Sequence, residues 1–503
     1  MALQSFLLVF FLALISFLFL YRLMRNKNGC PKSSPGIVEL LLNVHRFHDW
    51  CTETLESCKG TFFLEGPWFA KMNWVMTCDP ANAHYVMSSN FDNFPKGPEF
   101  KQMFDALGDG IFNSDMDLWK NQRTAAQGFM RHHLFHQFLL RTTRDKVEMG
   151  LMPIIDHAAK HGLVINLEDI FQRFTFDSAC ILVTGYDPSC LSLELPQVLF
   201  SKAVDDIEQA IFYRDVRPRS FIKLQKWLNI GQEGKHKKAC KVLDDVLAEY
   251  ICQKRKEVSK LNQELVSVDG VDLLTSYITE KESTGLKCDD KFLRDTALNM
   301  IIAATDTTST ALTWFTWLVS KHPIVENKII EELESKIPIG ETKRRRLFNV
   351  DKVKNLVYLH GALCEALRLY PPVPFNHKEP VKPDMLPSGQ AVHPKTKILF
   401  SVYSMGRMKS IWGEDCYEFK PERWINERGE IKHEPSYKFL SFGAGPRICL
   451  GKETSFIQMK VVASALIYNY RIHAMEETPV IPAVSVVLRT EKGLMTRISK
   501  RWE

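Results

Sequence analysis

Apolar residues recur at helical spacing over 137–160, 165–183, 235–260, 291–320 and 351–370, which predicts long amphipathic helices. Shorter strand-like runs occupy 61–64 and 73–78, the stretch near 397–402 and the last thirty residues. Helices dominate and strands are few and peripheral, so the pattern predicts a mainly α (α+β) fold with a helical body. The first twenty-one residues, MALQSFLLVFFLALISFLFLY, are apolar almost without interruption. As a helix they span about 30 Å, the thickness of one bilayer core. Arg22, Arg25 and Lys27 follow at once and no basic residue precedes the run. The positive-inside rule then puts the N-terminus across the membrane and the body of the protein in the cytosol. A cleaved signal peptide is the alternative, against which stand the length of the run and the side on which its charge lies. The polar stretch RNKNGCPKSSPG, 25–36, reads as a linker. No second linker, repeat or low-complexity tract follows. The expected organisation is a transmembrane anchor at 1–24, a hinge at 25–40 and one large domain at 41–503.

Composition refines this little. The 503 residues are 45% hydrophobic and 25% charged, the balance of a globular protein. A net charge of +6 is too small for this length to argue for nucleic acid. The 12 cysteines are scattered with no CxxC pair, which argues against a zinc module or a dense disulfide framework and for a reducing compartment. Two basic clusters, KHKKACK at 235–241 and TKRRR at 342–346, read as solvated faces or as contacts with anionic lipid or an acidic redox partner. The stretch RPRSFIKLQKWLNIG, 217–231, reads either as a segment dipping into a lipid surface or as a plain connection between helices.

Three segments carry candidate chemistry. The long helix at 291–320 is apolar at its centre except for Thr305, Asp306, Thr307 and Thr308, followed by Ser309 and Thr310. Such residues compete for backbone hydrogen bonds and are poor helix formers. A cluster of them in mid-helix is a local inconsistency of the kind functional sites show. Ala303 and Ala304 leave room beside an acid and an alcohol, enough to hold a diatomic molecule and deliver protons. The alternative is that each hydroxyl bonds the carbonyl four residues back. In GALCEALRLYPP, Glu365 and Arg368 share one helix face, and Arg423 in FKPERW offers a second arginine. In FGAGPRICLG, 442–451, a cysteine is surrounded by Gly443, Gly445 and Gly451, with Arg447 two residues before it. A core cysteine needs no such framing. The glycines point to positive φ, or to close approach to something flat and bulky.

Together these segments resemble the cytochrome P-450 superfamily of haem-thiolate monooxygenases. Phe442, Gly445, Arg447, Cys449 and Gly451 match every required position of its F-x-x-G-x-R-x-C-x-G loop. AATDTT at 303–308 resembles its A-G-x-D-T-T segment, Glu365, Arg368 and Arg423 its structural E-R-R triad, and Trp119 and Arg123 in DLWKNQR its W-x-x-x-R. The likeness spans residues 40–500. It implies a triangular helical fold with small peripheral sheets and a haem b whose iron is bound by Cys449. It implies that Trp119, Arg123 and Arg447, with Lys378 or His377, meet the propionates. Asp306 and Thr307 would relay protons. Two departures stand out: Ala304 replaces the usual glycine, and the proline-rich hinge is shortened to PKSSPG.

The phrases NFPKGPEF, YPPVPFNHK, DMLPSG, GRMKSIWGEDC and HEPSYKFLSFGAGPRICLGKE resemble the plant fatty-acid and alkane hydroxylase clan, and within it the group holding midchain alkane hydroxylases. That implies oxygen insertion into an unactivated C–H bond of a long-chain alkane or fatty acid. By family position the pocket would use Phe112, Asn113, Ile211, Phe212, Ala303, Ala304, Val373, Pro374 and Phe375, with ordinary core packing the alternative for each large side chain. Phenol coupling of alkaloid precursors, found in the same group, stays open, as does a haem protein that only binds a ligand or carries electrons. The chain has no flavin or nicotinamide motif, so the resemblance implies electrons from NADPH through a membrane-bound reductase. It further implies a single-pass protein of the endoplasmic reticulum membrane with its catalytic domain in the cytosol.

Overall fold

Caps written into the sequence set several helix ends. The computed structural model describes residues 37–65, 73–216, 219–261, 272–279, 288–335, 348 and 353–502. The expected anchor at 1–24, most of the hinge and the basic run at 342–346 lie outside these residues. Among the described residues no helix is long and apolar enough to cross a membrane. In chain order the main helices are α1 (Phe47–Ser57), α2 (Met116–Arg131), α3 (His133–Lys146), α4 (Met152–His161), α5 (Leu167–Thr184) and α6 (Leu199–Val216). They continue as α7 (Arg219–Leu228), α8 (Gly231–Leu261), α9 (Asp290–Lys321), α10 (Pro323–Ser335), α11 (Val357–Leu369) and α12 (Lys452–Asn469). Asn166 caps α5 by accepting from the Glu168 N–H, and Gly185 ends it at φ 79°. Asp289 caps α9 by accepting from the Phe292 N–H. Each such cap satisfies a backbone donor left without a partner.

Two helix expectations shift. The run 137–160 forms α3 and α4 joined by a wider π turn, Val147–Leu151. Pro153 has no N–H to continue the regular ladder, so the backbone widens just before it. The run 351–370 is broken at 355–356, and its long helix begins only at Val357. There the Glu332 carboxylate of α10 accepts from the N–H groups of Val357, Tyr358 and Leu359 at 2.6, 2.9 and 2.9 Å. The start of α11 is thus fixed by a tertiary cap.

The strands lie at the edge of the helical body. β1 (Thr61–Glu65), β2 (Asn73–Thr77), β4 (Phe375–Lys378) and β5 (Lys397–Ser401) form a sheet in the order β1-β2-β5-β4, β2 and β5 being parallel with Val75 opposite Ile398. β3 (Val164–Asn166), β6 (Tyr470–Ala474) and β7 (Met495–Lys500) form a second sheet with β7 in the middle.

α9 is the axis of the molecule and packs along α5. Its 32 residues span about 48 Å. The N-terminal half, through Leu293, Ala297, Leu298 and Ile301, belongs to a core shared with α6 and α8. The C-terminal half, through Ala311, Leu312, Phe315, Leu318 and Val319, belongs to another core shared with α5, α11 and α12. A third core lies between α1 and the larger sheet. Each fully buried Leu, Ile or Phe contributes about 2 kcal/mol. Most of the segment 303–310 lies at the changeover between the first two cores, so polar residues there interrupt neither.

Candidate functional site

The loop before α12 reverses direction twice. Gly443 and Gly445 sit at φ 71° and 66°, in the left-handed region glycine tolerates best. A Cβ on Gly445 would lie 1.8 Å from the Met87 carbonyl oxygen, so close backbone packing also demands glycine here. Gly451 differs: its φ is −82°, and the nearest atom a Cβ would meet is the Cys449 sulfur, at 3.9 Å. The Cys449 N–H donates to the Phe442 carbonyl at 2.8 Å. Cys449 is exposed although protein surrounds its thiol on most sides. Burial pushes the thiol above its ordinary pKa, against hydrogen bonds from the Gly451 and Lys452 backbone and the positive charges of Arg123 and Lys452.

Beside this loop cations outnumber anions. Arg447 donates to the Ser114 carbonyl at 2.8 Å and to Asp115 at 2.6 Å, and its guanidinium lies 4.4 Å from the Trp119 ring. Its Nε is buried without a hydrogen-bond partner, as is the Lys378 ammonium. Burial pushes Lys96 down to about 7, with Arg447 adding repulsion. Lys378 is held well below its ordinary value by burial, Lys96 and Arg447. Arg447 falls to about 10 through burial, with Arg123 a further positive neighbour. His377 is likewise pushed well down by burial and by Lys397, Lys96 and Lys378. The carboxylate opposing Lys96, Lys378 and Arg447 is Asp115. A surplus of buried positive charge with unused donors suits a group that brings two carboxylates of its own, and an accessible thiol stands nearby to bind a metal. The residues present therefore fit haem with its two propionates.

On α9 several hydroxyls bond backward. Thr305, Thr307 and Ser309 donate to the carbonyls of Ile301, Ala303 and Thr305 at 2.8, 2.7 and 3.0 Å, which keeps the helix regular through its polar stretch. With its proton committed to Ala303, the Thr307 oxygen keeps lone pairs with which to accept. Asp306 is buried; its Oδ1 accepts from Arg489 at 2.6 Å and its Oδ2 has no partner. Burial pushes its pKa up.

Glu365 and Arg368 are fully buried and joined by two hydrogen bonds of 2.7 Å. Arg368 also donates to the carbonyls of Gly406, Cys416 and Glu418. Arg423 reaches Glu365 at 3.2 Å, and Trp424 donates to the same carboxylate at 2.8 Å. This network pins α11 to the segment 406–424 that leads into the cysteine loop.

The proposed pocket residues divide. Phe112 and Val373 are exposed apolar side chains, and Phe212, Ala303, Ala304 and Phe375 are half-buried. Ile211 is packed in the core of α6 and α8, and Pro374 is buried. Asn113 folds back on its own loop, donating to the carbonyls of Phe104 and Gly108 at 2.6 and 3.1 Å. Lys96, Asp115, Glu208 and Arg489 belong to the site but carry no motif of their own. Asp115 has one signal, an acid just before the helix that bears Trp119. It does not cap that helix and instead accepts from the Lys96 and Gly97 N–H groups. Among the described residues every cysteine is a free thiol.

Known proteins are similar to this chain. The cytochrome P-450 family model matches residues 39–497. The chain is 41% identical to the alkane hydroxylase MAH1 of Arabidopsis thaliana over 100% of both chains. It is 40% identical to the noroxomaritidine synthase of Narcissus aff. pseudonarcissus MK-2014, over 95% of this chain and 92% of that one. A crystal structure of a cytochrome P-450 superposes with a TM-score of 0.74 at 18% identity, covering 90% of this chain and 98% of the other, which speaks to the fold alone. With the glycine-framed thiol, the cationic cradle and these relatives in place, the chain belongs to the cytochrome P-450 family, a haem protein and a monooxygenase.

Proposed function

We propose that this monooxygenase inserts one atom of dioxygen into an unactivated C–H bond of a long-chain alkane or fatty acid, midchain positions included. The observation that carries the reading is the apolar character of the residues that family position assigns to the pocket. Phe112, Phe212, Ala303, Ala304, Val373 and Phe375 are exposed or half-buried and none has a charge or a hydrogen-bonding side chain. Such a surface grips by apolar area. A phenolic amine would leave its polar groups without partners there, at a cost of a few kcal/mol. Full-length identity to an alkane hydroxylase supports the same reading. The second reading, oxidative coupling of a phenolic alkaloid precursor, is favoured by the comparable identity to noroxomaritidine synthase. Purified protein, reductase and NADPH, offered a panel of alkanes, fatty acids and phenolic precursors, should give hydroxylated chains by mass spectrometry. Coupled phenols with no chain oxidation would reverse the order.

In this reading Cys449 would bind the haem iron, and Arg447, Arg123, Trp119, Lys96 and Lys378 would hold its propionates. When bound, a thiolate-ligated haem supplies the chemistry that cleaves dioxygen. The chain's own residues do the rest. Backbone N–H groups of Gly451 and Lys452 hold charge on the sulfur. Monooxygenation reduces the second oxygen atom to water and so consumes protons in a dry interior. Asp306 and Thr307 serve their delivery, the acid by holding a proton and the hydroxyl oxygen by accepting a hydrogen bond.

Electrons come from NADPH through a separate reductase, and charge on the rim of this protein sets the rate of encounter. The protein sits on the endoplasmic reticulum membrane with its catalytic domain, 41–503, in the cytosol and its N-terminal run, 1–24, as the anchor. α7 supports a second contact with lipid: Phe221, Leu224, Trp227 and Leu228 are exposed beside Lys223 and Lys226, Trp227 at 80%. Apolar and basic side chains so arranged suit the membrane interface.

A further inference from the structure

We propose that Glu208 is a proton-donating residue of this enzyme, sharing one proton with Asp306 beside the Arg489 guanidinium and drawing its replacement from solvent next to Asp205. The proposal rests on the reading of Asp306 and Thr307 as the relay.

Arg489 is held by its neighbours in the chain. The Leu488 carbonyl accepts from the Trp314 indole at 2.6 Å, the Leu488 N–H donates to Pro372 at 2.9 Å, and the Thr490 N–H donates to Glu168 at 3.0 Å. The guanidinium so placed meets three carboxylates from two helices: Asp205 at 2.8 Å and Glu208 at 3.0 Å from α6, and Asp306 at 2.6 Å from α9. Glu208 and Asp306 meet the same nitrogen, Nη2.

Charge and exposure then assign the states. The Asp205, Glu208 and Asp306 side chains are 54%, 16% and 4% exposed. Asp205 is the acid most open to solvent. Glu208 and Asp306 share one donor nitrogen in a low-dielectric surround, and two adjacent carboxylates there do not both ionise. One proton therefore belongs to the pair. Burial and the Asp306 charge push Glu208 well up, and burial pushes Asp306 up as well. Arg489 stays charged, its pKa raised by the three acids.

The order from solvent inward is Asp205, Glu208, Asp306, with Asp205 and Glu208 at i and i+3 on one face of α6. Asp306 Oδ2 is buried and unpartnered, and Thr307 is the next residue. In one cycle Glu208 gives its proton to the Asp306 carboxylate, Asp306 passes one on toward Thr307, and Glu208 takes one from water at the Asp205 edge. One proton enters for each that leaves, and Arg489 loses none. A purely structural tether between α6 and α9 would require no neutral acid.

Infrared difference spectroscopy of the resting protein tests the shared proton independently of turnover. Wild type should give a neutral-carboxyl carbonyl band that shifts in D2O and is lost in Glu208→Gln. Its absence from wild type would overturn the proposal whether or not the variant folds. In turnover, Glu208→Gln should raise the share of NADPH lost as peroxide several-fold and enlarge the solvent isotope effect, with an unchanged carbon-monoxide difference band. Thr307→Ala serves as reference. A coupled Glu208→Gln beside an uncoupled Thr307→Ala would overturn the part given to Glu208 and leave the relay standing. A fully coupled Thr307→Ala would overturn both.

Discussion

At Cys449 burial and local donors oppose each other. Burial raises the thiol pKa, while Gly451, Lys452 and Arg123 favour the anion. Cys449→Ser should therefore lose the carbon-monoxide difference band of thiolate ligation and hold less haem, as visible spectroscopy and haem assay would read. Gly445 is constrained twice, by φ 66° and by the Met87 carbonyl 1.8 Å from where a Cβ would be. Gly445→Ala should cost at least about 2 kcal/mol of stability, since left-handed strain and overlap add; chemical denaturation would measure it. Asp115 shows where residue-level reading stops. Position alone assigns it to capping α2, yet it spends its carboxylate on Arg447 and on two backbone N–H groups. The cysteine loop is legible because ligation needs fixed residue types a few positions apart. Lys96, Glu208 and Arg489 are not, because their partners lie far along the chain.

Among the elements, α9 and α11 carry the site by different means. α9 crosses from one core to another and leaves its polar turn between them, so the helix survives residues that would weaken it in isolation. Its length and polar interruption are both plain in the sequence. That Thr307 bonds the Ala303 carbonyl, leaving its oxygen to accept, is decided by the side-chain rotamer. α11 depends on neighbours at both ends: Glu332 fixes its start, and Glu365 joins Arg368, Arg423 and Trp424 near its finish. An E-x-x-R spacing alone reads equally well as a surface pair, and only complete burial separates the two. Glu365→Gln should cost about 3 kcal/mol or more, because it leaves buried arginines without their carboxylate. Thermal unfolding should show the loss while α10, which meets α11 through Glu332, keeps its helical signal.

Across the whole molecule, buried histidines make stability depend on pH. His48 lies between Phe375 and Tyr403, with ring centroids 5.6 and 5.2 Å away, and burial lowers its pKa from 6.5 to about 4. Its folded pKa lies below its unfolded one, so the unfolded chain binds the proton more readily. The contribution is complete above about pH 6.5 and is lost as pH falls toward 4. It amounts to about 3 kcal/mol. His360, pushed down to about 3 by burial and by Lys460 and Lys452, acts in the same direction. His48→Phe keeps an aromatic ring in place and should flatten the fall of melting temperature over that range; an unchanged slope would remove His48 from the account. By itself the sequence determined the helical class, the positions of α5, α8 and α9 to within a few residues, and the cysteine loop, because apolar periodicity and ligand spacing are local properties. Only the tertiary structure decided which charges share a burial site. The excess of cations around Arg447 and the three acids on Arg489 arise from contacts across hundreds of residues, and burial at those contacts moves Lys96, Lys378, Glu208 and Asp306 from their ordinary pKa values.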